Sequence, residues 1–128
     1  MNAAFPQISP SELTRRLDCG PAVTVVDVRS PAEYQAGHIP GACLLPVDEL
    51  DARKLADVVD LTEVRADNPL YLTCHAGKRA EKAAQALREA GVEHIALVQG
   101  GTEAWQKAGL PVNKCDSALS LERQVQIA

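Results

Sequence analysis

Three short, almost wholly apolar runs constrain the fold most: Val23-Thr24-Val25-Val26, Leu70-Tyr71-Leu72-Thr73 and the stretch from His94 to Val98. Runs of this kind are buried on both faces of a parallel sheet. Parallel strands need crossover elements between them, and the intervening segments read as helices. Ser9-Pro10-Ser11-Glu12 places a cap, a first-turn proline and a capping-box glutamate ahead of Leu13 and Leu17, and Cys19-Gly20-Pro21 ends that helix. Ser30-Pro31-Ala32-Glu33 repeats the pattern for a brief helix that Gly37 stops. A short strand is expected from Cys43 to Leu45. Leu50, Leu55, Val58 and Val59 predict a helix over Asp48 to Val59, and Ala83, Ala84 and Leu87 predict one over Ala80 to Ala90, closed by Gly91. Gly100-Gly101 turns the chain, and Thr102 is expected to cap a last helix carrying Ala104, Trp105 and Ala108. Alternating strands and helices imply an α/β fold with a doubly wound parallel sheet.

The 128 residues fit one domain, and no linker divides them. A net charge of −4 lacks the basic stripe that nucleic-acid binding leaves, so nucleic acid is not an expected partner. Cys19, Cys43, Cys74 and Cys115 form neither a C-x-x-C pair nor a zinc-spaced cluster, so no metal or cofactor is expected. The N-terminus MNAAFPQISP has no positive region followed by an apolar one, which favours a reducing, cytoplasmic setting. No run approaches the roughly 20 apolar residues that span a bilayer.

Chemistry concentrates at Cys74. It directly follows the strand ending at Thr73, and its loop, Cys74-His75-Ala76-Gly77-Lys78-Arg79, runs into the start of a helix. There, unpaired backbone N–H groups and the helix dipole favour an anion, and Lys78 and Arg79 add positive charge. Cysteines in such settings have their pKa lowered to ~3.5–7.5, so a thiolate nucleophile is expected. The same cradle suits a persulfide, whose terminal sulfur is also an anion. Gly77 lets the backbone curl. A small buried hydrophobe is the blander reading of Cys74, and its strand-end position beside Gly-Lys-Arg argues against it.

The chain resembles the rhodanese family in Asp27-Val28-Arg29, in the segment from Glu33 through YQAGHIPGA to Ala42, in the loop CHAGKR, and in Gly100-Gly101 through Trp105 to Gly109-Leu110-Pro111-Val112. The likeness covers about residues 5–112, with 113–128 as an extension. It implies a parallel sheet of about five strands with helices on both faces, and persulfide chemistry at Cys74. The loop, from His75 and Ala76 through Gly77 and Lys78 to Arg79, would bind a small anionic sulfur donor such as thiosulfate, and the acceptor would be cyanide or a thiol. Four residues separate Cys74 from Arg79. Phosphatases similar to this family use C-x5-R to enclose a tetrahedral phosphate, so the shorter loop disfavours that activity. A non-catalytic binding or redox-sensing module is the remaining alternative, against which the intact C-x4-R loop argues. The loop differs from the CRKGVT and CGSGVT loops of two-domain thiosulfate and mercaptopyruvate enzymes.

Asp27 and Arg29 could orient substrate, but bracing of the loops by a buried ion pair is preferred. His38, in Gly-His-Ile-Pro-Gly, reads as a turn histidine bonded to backbone rather than an acid or base. His75 could modulate the thiolate or face solvent. The tail LERQVQIA, with Leu121, Val125 and Ile127 apolar, resembles the lead-in to hydrophobic helices of membrane-tethered rhodaneses. It implies a tether beyond the C-terminus, with the domain on the cytoplasmic face.

Overall fold

Side-chain alternation along the strands sorts the core into two layers, one on each face of a single sheet. In the computed structural model, which describes residues 5–19, 23–75 and 78–113, the strands are β1 (Gln7–Ile8), β2 (Thr24–Asp27), β3 (Cys43–Leu44), β4 (Leu70–Thr73) and β5 (Ile95–Val98). They lie in the order β1-β5-β4-β2-β3, and every pairing is parallel. The crossovers carry α1 (Pro10–Cys19), α2 (Pro31–Ala36), α3 (Ala52–Val58) and α4 (Lys78–Glu89), and α5 (Gly101–Lys107) follows the last strand.

On one face Val26, Leu70, Leu72, Ile95 and Leu97 pack with Leu55 of α3 and with Ala80, Ala83, Ala84 and Leu87 of α4. Three alanines on that stripe let α4 lie close to the sheet. On the other face Val25, Tyr71, Ala96 and Val98 pack with Ile8, Ile39, Leu13 of α1 and Trp105 of α5. The indole Nε1 of Trp105 donates to the Pro111 carbonyl at 2.7 Å, which satisfies its one polar atom. Helices therefore cover both faces, as expected for the fold class.

Several local expectations are corrected. Gln7 and Ile8 form an edge strand beside β5, too short to show a period of its own. The segment from Asp48 to Val59 is not one helix: Val47–Glu49 is a 3-10 turn, and α3 begins only after Asp51, whose carboxylate accepts from the Lys54 N–H at 2.7 Å. α4 starts at Lys78, two residues before Ala80. Thr102 is not a cap. α5 begins after Gly100, which is left-handed at φ 72°, and the Thr102 hydroxyl is buried 3.0 Å from the Thr73 hydroxyl. Residues 114–128, including the tail with Leu121, Val125 and Ile127, lie outside the described residues. Among the described residues no helix is long and apolar enough to cross a membrane.

The strand order leaves a crevice at the carboxyl ends of β2 and β4. The chain leaves β2 toward β3 on one side and leaves β4 toward β5 on the other, so the loops after β2 and β4 diverge. In open α/β sheets the gap outside the carboxyl ends of such strands is where ligands bind.

Leu72 is fully buried at the centre of this sheet. Leu72→Ala is expected to lower the unfolding free energy by about 2–5 kcal/mol, read from urea denaturation, because the central strand cannot collapse into the cavity.

Candidate active site

The carboxyl end of β4 delivers Cys74 to this crevice, buried at 1% exposure. The backbone around it is held from below. The Thr102 N–H donates to the Cys74 carbonyl at 2.7 Å, and the Glu103 N–H donates to the His75 carbonyl at 2.9 Å. The first turn of α5 thus uses its unpaired N–H groups to take up the carbonyls of the loop. The approach is so close that a Cβ on Gly101, itself at φ 66°, would lie 2.4 Å from the Cys74 oxygen and 2.8 Å from that of His75. Only glycine fits there.

Downstream, the loop enters α4 through Lys78 and Arg79. Lys78 is exposed, and so is His75, whose ring is therefore on the solvent side. Ala76 and Gly77, both expected to line the site, lie outside the described residues. Arg79 spans the crevice: Nη1 and Nη2 donate to Oε1 and Oε2 of Glu33, each at 3.0 Å. The fork-on-fork geometry ties the helix after β4 to the helix after β2. Hydrogen bonding from Arg79, with further bonds from Ser30, lowers the Glu33 pKa from 4.5 to about 2. Glu33 in turn raises the Arg79 pKa, and the Cys74 charge adds to that rise, so the guanidinium stands within coulombic reach of the sulfur.

Glu33 also closes the capping box of α2. Its Oε1 accepts from the Ser30 N–H at 3.0 Å, while the Ser30 hydroxyl accepts from the Glu33 N–H at 3.3 Å. The capping pattern is visible in the sequence, whereas the bond to Arg79, 46 residues away, is not.

Asp27 and Arg29 form a second ion pair under the same loops, with side chains 0% and 5% exposed. The Arg29 guanidinium donates to Asp27 Oδ2 at 2.7 Å and to the Gly37 carbonyl at 2.7 Å, and the Arg29 N–H donates to Asp27 Oδ1 at 3.0 Å. His38 is buried; its Nδ1 donates to the Tyr34 carbonyl at 2.8 Å, and its ring stacks on that of Tyr34 at 3.7 Å. Among the described residues no cluster of His, Cys, Asp or Glu could hold a metal ion.

An all-parallel five-stranded sheet with a cysteine at this strand end defines a class, and sequence comparison gives it a name: the model of the rhodanese-like domain matches residues 9–108. The chain belongs to the rhodanese-like domain family. It is 42% identical to an uncharacterised protein of Synechocystis sp. over 107 residues, 83% of this chain and 56% of that protein. It is 34% identical to the thiosulfate sulfurtransferase GlpE of Pseudoalteromonas translucida, over 82% of this chain and 92% of the relative. A crystal structure of a protein from Anabaena sp. superposes with a TM-score of 0.71 at 29% identity, covering 91% of this chain and 89% of that one. The chain spans about half the length of several curated relatives that it matches.

The Glu33–Arg79 pair predicts a pH dependence. The folded pKa of Glu33 lies below its ordinary value of 4.5, so its stabilising contribution is complete above that value and is lost as pH falls toward about 2. In urea titrations across this window, wild type should lose stability relative to Glu33→Gln as the solution is acidified. A stability difference that does not change with pH would show that the pair is not linked to folding.

Proposed function

We propose that this domain is a sulfurtransferase of the rhodanese type, with Cys74 as the residue that carries the sulfur. The observation behind the proposal is the position of Cys74 at the carboxyl end of β4, beside the switch point of the sheet, with the carbonyls of Cys74 and His75 drawn to α5. Turning those carbonyls toward α5 takes their negative ends out of the crevice, where a sulfur anion would otherwise meet them.

In the first half-reaction the Cys74 thiolate attacks the outer sulfur of thiosulfate. An S–S bond forms to Cys74, the bond to the sulfonate sulfur breaks, and sulfite leaves with that electron pair. In the second, cyanide or a thiolate attacks the terminal persulfide sulfur, and the Cys74 thiolate departs. No net redox change is left on the protein. The start of α4 and Lys78 stabilise the anions, Arg79 flanks them, and His75 belongs to the same loop. Asp27, Arg29 and His38 support the loops without touching substrate in this proposal. A reducing compartment belongs to the same reading, because the cycle needs an unoxidised Cys74.

Support comes from the family membership and from relatives that bear sulfurtransferase names. The test is intact mass after incubation with thiosulfate. Wild type should gain the mass of one sulfur atom and lose it to cyanide, and Cys74→Ser should gain none while keeping its thermal transition. A protein that stays unmodified by thiosulfate and by persulfide donors would instead be a binding module.

A further inference from the structure

The cations around Cys74 are mostly spoken for. Arg29 is buried against Asp27, and Arg79 gives two guanidinium nitrogens to Glu33. Among the lysines and arginines of the described loop residues and the first turn of α4, Lys78 is the one outside an ion pair. Thiosulfate is a dianion. Its attack by a thiolate gathers three negative charges at one helix N-terminus, whereas a hydropersulfide brings one charge or none.

Resting on the sulfur-transfer reading above, we propose that Glu33 is a specificity-determining residue that, by neutralising Arg79, sets the site for persulfide donors rather than dianionic thiosulfate. Glu33 acts through Arg79 and is therefore a positioning residue. Because its carboxyl pKa is held at about 2, the neutralisation persists throughout the physiological range. The pair is also exposed enough to respond to a ligand, with side chains 40% and 34% accessible for Arg79 and Glu33. The buried Asp27–Arg29 pair has no such access.

The favoured half-reaction balances. The Cys74 thiolate attacks the terminal sulfur of R–S–S–H, a Cys74–S bond forms, and the donor S–S bond breaks with its electrons leaving as the thiolate R–S⁻. The terminal proton travels with the transferred sulfur, so one negative charge is present before and after. Thiosulfate follows the same bond changes with two further charges, against which Lys78 is the one lysine or arginine of the first turn of α4 not already held in an ion pair.

Two variants test the assignment with thiosulfate and 2-hydroxyethyl hydropersulfide, whose organic part is uncharged. Glu33→Gln keeps an oxygen for the Ser30 cap but releases the Arg79 charge. It should raise kcat/KM for thiosulfate about tenfold through a lower KM, change that for the hydropersulfide by no more than about twofold, and lose the gain in high salt. Arg79→Gln leaves the Glu33 charge uncompensated and should lower thiosulfate kcat/KM about tenfold, and that for the hydropersulfide by a clearly smaller factor. Opposite signs from the two halves of one ion pair are what a purely structural brace does not produce, since breaking it from either side would harm both donors alike. Thiosulfate use that falls in both variants, or that stays unchanged in Arg79→Gln, overturns the proposal even where sulfur transfer itself persists. Failure of both donors to add sulfur to wild-type Cys74 removes the sulfur-transfer reading and this one with it.

Discussion

The contact between the first turn of α5 and the carbonyls of Cys74 and His75 organises the upper end of this molecule. Two hydrogen bonds, at 2.7 and 2.9 Å, join the loop after β4 to the segment after β5, and they form only because Gly101 has no Cβ to hold the backbones apart. A helix start normally leaves its N–H groups to caps or water. Here they take the carbonyls of a neighbouring loop, and the Thr73–Thr102 hydroxyl contact reinforces the same join. The peptide groups at Cys74 are thereby fixed in orientation by the fold itself.

A second layer of constraint is electrostatic. Lys78 and Arg79 occupy the first turn of α4, where the helix dipole already disfavours positive charge by roughly 0.3–1 kcal/mol for each group. Proteins break such local rules mainly at functional sites and offset them elsewhere. Part of the offset here is Glu33, which brings a carboxylate to the positive end of α4 while remaining part of the cap of α2. The deeper Asp27–Arg29 pair does a different job. It is dry, it is satisfied by backbone as well as by its own partner, and through Gly37 it joins the end of β2 to the turn after α2. Removing either member would strand a buried charge, a cost of about 3–5 kcal/mol.

The fold was readable because its signals are local. Apolar strand runs, two capping boxes and helix-stopping glycines place most elements within a residue or two, and strand–helix alternation yields the parallel topology. The misses have physical causes. β1 is two residues long, and its pairing with β5 is a tertiary fact with no periodic trace. The stretch before α3 carries apolar residues at helical spacing, yet Leu50 is extended and Asp51 opens a new helix. Thr102 follows a glycine pair in the manner of a cap, but the close approach of α5 to the loop turns its hydroxyl inward to Thr73. Cys74 and the cations after it were legible from strand-end position and composition. The partner of Arg79 was not, because pairing across a crevice depends on which loops the strand order brings together.

Burial of Cys74 is consistent with the proposed persulfide cycle. At 1% exposure the thiol offers little surface to large oxidants, which limits progress along the sulfenic and sulfinic ladder. Adding one sulfur lengthens the side chain by an S–S bond of about 2.05 Å and moves the reactive atom away from Sγ. A thiol acceptor then has to reach the terminal sulfur rather than Sγ. In this scheme the depth of Cys74 separates two requirements on one side chain: shelter while it is a thiolate, and access once it carries cargo. His75 and Lys78, next to Cys74 in the described chain, are by contrast exposed.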